Sequence, residues 1–192
     1  MTSLRSTLIV VLLSFSTLAF GQANATATQS DAQNAFAKLK ALAGTWEGHA
    51  TLNPPDAKMD PGLMQVSLRV TSRGNALVHE MKGKEDSTNK HHADASSTDS
   101  DDPITMFYVD SDRLLLTHYC DAGNRPRMVG KISPDGKKVE FTFLDVAGST
   151  RHGHMEHAVF TIIDADHHTE DWTYLMPGNK PMQGHIELQR VK

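Results

Sequence analysis

From residue 44 onward the apolar residues recur at every second position. Val66, Leu68 and Val70 alternate with Ser67, Arg69 and Thr71; Val139, Phe141 and Phe143 alternate with Glu140 and Thr142; Ile186 and Leu188 alternate with His185, Glu187 and Gln189. Successive side chains of a strand point to opposite faces, so these segments read as strands with one face buried and one in water. Turn chemistry separates them. Ser72–Asn75, Asp110–Arg113, Asp164–His168 and Pro177–Pro181 are polar or Gly/Pro-rich, and in Ser133-Pro134-Asp135-Gly136 the proline presets the turn while the glycine accepts positive φ. Connections this short join neighbours antiparallel. The spacing predicts about ten strands, over 44–52, 64–72, 76–83, 103–110, 113–120, 126–133, 137–146, 154–163, 169–176 and 182–190. An open sheet of that size would leave two unpaired edges, and closure removes them. The predicted fold class is therefore all-β, an antiparallel up-and-down barrel. One short N-terminal helix precedes it: Ser30 or Asp31 caps the run Asp31–Leu42, Phe36, Leu39 and Leu42 form its apolar stripe, and Gly44 stops it.

Three segments lie outside that pattern. Arg5 followed by the apolar run 7–20 and small residues reads as a signal peptide over residues 1–25, which predicts an exported protein, periplasmic or secreted. Residues 26–34 read as a flexible N-terminal segment, ahead of a barrel domain over 35–192. Within the barrel, residues 84–102 hold no large apolar side chain and read as a mobile polar loop able to act as a lid. The 192 residues carry a formal net charge of -4, without the basic footprint that nucleic-acid binding needs, so no nucleic-acid partner is expected. No segment after the leader approaches the roughly 18 apolar residues of a spanning helix, so no membrane span is expected. Cys120 is the sole cysteine, which excludes an internal disulfide and any multi-cysteine metal site. Oligomeric state is not set by these features.

A short helix leading straight into Gly44-Thr45-Trp46 on the first strand of a meander resembles the opening of lipocalins and their calycin relatives, most nearly small exported bacterial lipocalin-like domains. The resemblance runs over roughly Phe36 to Lys192. It implies that Trp46 closes the floor of the barrel against an arginine of the last strand, for which Arg190 stands in place, and that the interior holds a small, largely apolar molecule. Gly44-Thr45-Trp46 is similar also to the start of nitrobindin-like haem proteins, and Pro181–Leu188, with His185, resembles the segment near their last strand that carries the haem ligand. That likeness implies a haem cofactor. Strand parity, by contrast, turns His185 outward with Glu187 and Gln189 when Ile186 and Leu188 face in.

Parity also selects the polar residues that accompany apolar ones into the barrel. Leu77, His79 and Met81 share a face, as do Ile104, Met106 and Tyr108; so do Leu114, Leu116, His118 and Cys120, and Trp172, Tyr174 and Met176. The candidate ligand site is His79, Met106, Tyr108, Leu116, His118, Trp172 and Tyr174, an apolar lining with His79 or His118 to fix a polar group. The alternative is a ligandless structural or interaction domain with a packed core, since small barrels can be filled by their own side chains. Eleven histidines raise a divalent metal as a further alternative, with His152 and His154, two apart, as its candidates. For catalysis the sequence is uninformative. His118 and Cys120 on one strand stand about 7 Å apart without a third group to orient them, and there is no G-x-S-x-G, H-E-x-x-H, phosphate-loop or EF-hand pattern.

Overall fold

The computed structural model describes residues 29–55, 62–84 and 102–192. The leader over 1–25 and all but the ends of the 84–102 loop lie outside those residues. Helix α1 (Asp31–Ala41) is followed by ten strands: β1 (Gly44–Asn53), β2 (Leu63–Thr71), β3 (Ala76–Gly83), β4 (Ile104–Asp110), β5 (Arg113–Tyr119), β6 (Arg125–Ile132), β7 (Lys138–Ala147), β8 (His154–Ile162), β9 (His167–Met176) and β10 (Lys180–Arg190). Each strand pairs antiparallel with its sequence neighbours, and β1 closes the ring on β10. The predicted all-β antiparallel barrel with one short helix is thus the observed fold. Asp31–Asn34, where the predicted helical run and the predicted flexible segment overlap, form the first turn of α1, whose N-cap Ser30 accepts from the Gln33 amide at 3.3 Å.

Helix α1 plugs one end of the barrel. Ala32, Ala35, Phe36 and Leu39 are its buried face, and they continue into a core containing Trp46, Val66, Leu68, Leu77 and Phe107. Trp46 is fully buried, and its indole N–H donates to the Leu42 carbonyl at 2.8 Å. In the register of β1, Trp46 lies between Val66 of β2 and Arg190 of β10. The Arg190 guanidinium stacks 4.1 Å from the Trp46 ring centroid and donates to the carbonyls of Ala43 (2.8 Å), Ala165 (2.9 Å) and Ala41 (3.3 Å). One side chain thereby satisfies open carbonyls at the helix C-terminus and covers the floor of the barrel.

Above that floor the lumen is filled. Phe107, Leu114, Leu116, Met128, Val139, Phe141 and Phe160 have no exposed surface. Each such side chain contributes about 1.5–3 kcal/mol relative to exposure. Gly130 makes the packing fit, because a Cβ there would stand 2.6 Å from the Phe141 ring and 2.8 Å from Leu114. At Gly48 the two closing strands come so close that a Cβ would meet the Glu187 carbonyl oxygen at 1.8 Å. The opposite end of the barrel is different. Leu52, Met64, Met81, Phe143, Met155 and Met182, on inward positions there, remain half-buried.

Candidate functional site

Strand β9 starts two residues earlier than its apolar pattern predicts, because His167 and His168 continue the ladder opposite Gln189 and Leu188 of β10. That extension brings His168, Glu170 and Trp172 onto one inward face. Glu170 and His168 are fully buried and His79 is 1 % exposed. From β3, His79 reaches across the lumen, and its Nε2 lies 3.1 and 3.0 Å from the two oxygens of Glu170. His168 Nε2 approaches Glu170 Oε1 at 3.1 Å, and the Trp172 indole N–H donates to Oε2 at 3.0 Å. Burial alone pushes a carboxyl up. Here it is outweighed by the charge of His79, the hydrogen bonds from His168 and His79, and the charge of His168, which together hold Glu170 well below the ordinary carboxylate range. A carboxylate so deeply ionised neither gives up nor takes a proton near neutrality. Its role is to fasten β3 to β9 and to orient Trp172.

Trp172 separates this cluster from the open end. Its ring centroid lies 5.7 Å from that of His79, 5.6 Å from that of His118 and 5.5 Å from that of Phe160. His118, next to last in β5, is 3 % exposed, and its Nδ1 lies 2.8 Å from the hydroxyl of Thr105, the residue opposite it on β4. Burial, with a smaller contribution from the charge of His79, pushes the His118 imidazole down to about 4, so it is neutral at physiological pH. The rim nearby is tied together by Asn124, whose amide donates to the carbonyls of Ser149 (2.9 Å) and Gly153 (2.7 Å). Gly153, at φ +95°, lies where a Cβ would strike the Tyr174 ring at 2.7 Å.

The residues selected by sequence divide between the two walls. His79, Leu116, His118 and Trp172 are inward and buried. Tyr174 is half-buried on the same parity, at the rim, and its hydroxyl donates to the His152 carbonyl at 2.8 Å. Met106 and Tyr108 face the outer wall instead, because Thr105 and Phe107 take the inward positions of β4. The Tyr108 hydroxyl lies 3.3 Å from that of Thr117. The run Ile104-Thr105-Met106-Phe107-Tyr108 is apolar at both parities bar Thr105, so alternation misassigned its face. His152 is exposed and precedes β8, while His154 stacks on Phe143 at 4.8 Å and approaches Glu156 at 3.0 Å; the two do not share a strand face. Among the described residues no group of three or more His, Cys, Asp or Glu is placed to hold a metal ion. His185 lies on the outer wall with its Nδ1 2.6 Å from Asp171, so the residue assigned to haem by the nitrobindin-like resemblance does not face the interior. Sequence reasoning missed Glu170 and His168. Their parity with Trp172 was the available signal, obscured by placing His167 and His168 in a turn.

Two shallow grooves, of about 470 and 820 Å³, run over the outer wall of β1, β10 and β9, among Thr51, Asp171, His185 and Glu187. Their lining mixes polar side chains such as Thr51, Asp171 and Gln183 with apolar ones such as Leu63, Ile163 and Leu188.

No protein-family model matches the chain, and no curated protein does. Similar solved structures include Rv2717c from M. tuberculosis, 14% identical, with a TM-score of 0.59 over 82% of this chain and 98% of that one. Another is a protein of unknown function from the DUF3598 family of Nostoc punctiforme, 11% identical, with a TM-score of 0.49 over 80% of this chain and 49% of that one. The likeness to Rv2717c is one of fold, a closed antiparallel barrel.

Proposed function

We propose that the end of the barrel away from helix α1 takes up a small, largely apolar molecule, in a protein exported by its N-terminal leader. The observation that supports this reading is the uneven filling of the lumen. The α1 half is sealed by side chains with no exposed surface, whereas Leu52, Met64, Met81, Phe143, Met155 and Met182 on inward positions of the other half remain partly uncovered. Methionine suits such a lining, because its flexible, polarisable side chain adapts to irregular apolar shapes. Trp172 and His118 provide the floor, held by the buried Glu170 cluster. Binding would draw on burial of ligand surface, about 25 cal/mol per Å² before ordering costs.

Native mass spectrometry of the exported protein, purified without an affinity tag, tests this. An additional mass that is lost on denaturation is the expected result, and a polypeptide mass starting after residue 25 is expected from leader cleavage. Titration with the neutral apolar dye N-phenyl-1-naphthylamine should show saturable binding, weakened by Leu52→Lys at the rim. A bare polypeptide with no saturable dye binding would overturn the reading. An absorption spectrum of the same sample covers the haem alternative, whose sign is a Soret band.

A further inference from the structure

Thr105 is 1 % exposed, so its hydroxyl proton must find an acceptor or incur the penalty of a buried unpaired donor. The polar side-chain atom within its reach is His118 Nδ1, at 2.8 Å. A neutral imidazole carries one N–H and one lone pair. With Thr105 donating, Nδ1 supplies the lone pair and the ring proton resides on Nε2. The reverse arrangement, Nδ1–H donating to Thr105, would leave the threonine proton without an acceptor. Among the described residues no group hydrogen-bonds Nε2 of His118. This nitrogen is also absent from the sealed, partnerless polar atoms of the described residues, which are His168 Nδ1 and Asn124 Oδ1. It therefore retains contact with open space, at the next-to-last position of β5 on the side of the mouth.

We infer that His118 is a fixed hydrogen-bond donor, set in the Nε2–H form by Thr105, and that the ligand of the mouth is a neutral apolar molecule bearing a hydrogen-bond acceptor such as a ketone, ester or ether oxygen. The ligand class rests on the small-molecule reading above; the tautomer does not. Thr105 acts through His118 and is a positioning residue. A neutral ligand fits because His118 is itself uncharged, its ring neighbour Trp172 is uncharged, and the charge of His79 is already paired with Glu170 at 3.0 Å. An anion placed there would find no free counter-charge. The same tautomer disfavours metal ligation at Nε2, which would move the ring proton to Nδ1 and leave the Thr105 hydroxyl without an acceptor.

Two measurements test this on the full chain. Nitrogen-15 NMR of the ligand-free protein at pH 7, with His118 assigned by its loss in His118→Phe, should show Nε2 protonated and Nδ1 unprotonated. A proton on Nδ1, or on both nitrogens, overturns the assignment. Next, 2-acetylnaphthalene and 2-ethylnaphthalene, which differ in one carbonyl, are titrated against tryptophan fluorescence. The ketone should bind about 3- to 10-fold more tightly. His118→Phe should abolish the preference while both probes still bind, and Thr105→Val should reduce it by releasing the tautomer. Equal affinities in the wild-type protein overturn the inferred ligand class and leave the small-molecule reading standing. Binding of neither probe removes both, and the NMR measurement then decides the tautomer alone.

Discussion

Replacing Glu170 by Gln preserves the shape of the side chain and removes its charge. The carboxylate accepts at both oxygens: His79 and His168 at Oε1, each at 3.1 Å, and His79 and Trp172 at Oε2, each at 3.0 Å. An amide has one acceptor oxygen. Its NH₂ group would confront the Trp172 N–H at the Oε2 position, and at the Oε1 position it would require His79 and His168 to give up their charge-assisted bonds and accept on Nε2, in a site with no exposed surface. Removing one partner of a buried ion pair costs about 3–5 kcal/mol, because the remaining groups stay buried and unsatisfied. That is a large part of the roughly 5–15 kcal/mol of a typical domain. With a urea dependence of about 1–3 kcal/mol per M, the unfolding midpoint should fall by about 2 M. Tryptophan fluorescence is the natural probe, because the two tryptophans flank the cluster: Trp172 donates to Glu170, and Trp46 lies edge-on to His168 at 4.2 Å. The pH dependence has a defined sign. The folded pKa of Glu170 lies below its ordinary 4.5, so the unfolded chain takes the proton first as pH falls. The carboxylate's stabilisation is full above about pH 4.5 and is lost below it, and wild type and Glu170→Gln should converge in that direction. A midpoint that moves by less than about 0.3 M at pH 7 would refute the reasoning, since the cluster would then be contributing no more than an exposed pair.

The His118 imidazole is pushed from 6.5 to about 4 by burial and then by His79. As pH drops through 6.5 the unfolded chain binds this proton first, so stability should decline by about 3 kcal/mol between pH 6.5 and 4. Chemical denaturation of His118→Phe across that range should show the decline flattened, and an unchanged slope would contradict the assignment. Arg190→Met removes three hydrogen bonds to backbone carbonyls and the contact with Trp46, and should cost about 2–3 kcal/mol. Hydrogen exchange should then accelerate first at the buried face of α1. Uniform acceleration over the barrel would argue against Arg190 as the latch of the helix.

How much could be read in advance varied with the strength of alternation. Strands such as β7 and β10, where apolar and polar residues alternate over 138–142 and 185–189, were legible to within one or two residues at their ends, because one parity is excluded from the core by its polar side chains. In β4 the one small polar residue, Thr105, is turned in and both neighbours are apolar, so hydropathy does not distinguish the faces of the strand. β5 is a related case: Leu114, Leu115 and Leu116 are all buried, and alternation has nothing to report. Glu170 was overlooked for the opposite reason. A glutamate between Thr169 and Asp171 looks solvated, and its burial is tolerated because imidazoles from two strands and an indole surround it.

The N-terminal cap and apolar stripe of α1, the turn residues and the period-two pattern are local properties of the chain, and they suffice to determine an antiparallel meander with a helix at its start. The closing of β1 on β10 is where local information ends, since it joins residues 130 or more positions apart, as in Trp46 opposite Arg190. The same holds for the cluster across the lumen. His79 and Glu170 are 91 residues apart, and whether a histidine there is a solvated ring or half of a buried ion pair depends on what the far wall presents to it. Charge in a low-dielectric interior is stable only in company, and tertiary structure alone assembles that company.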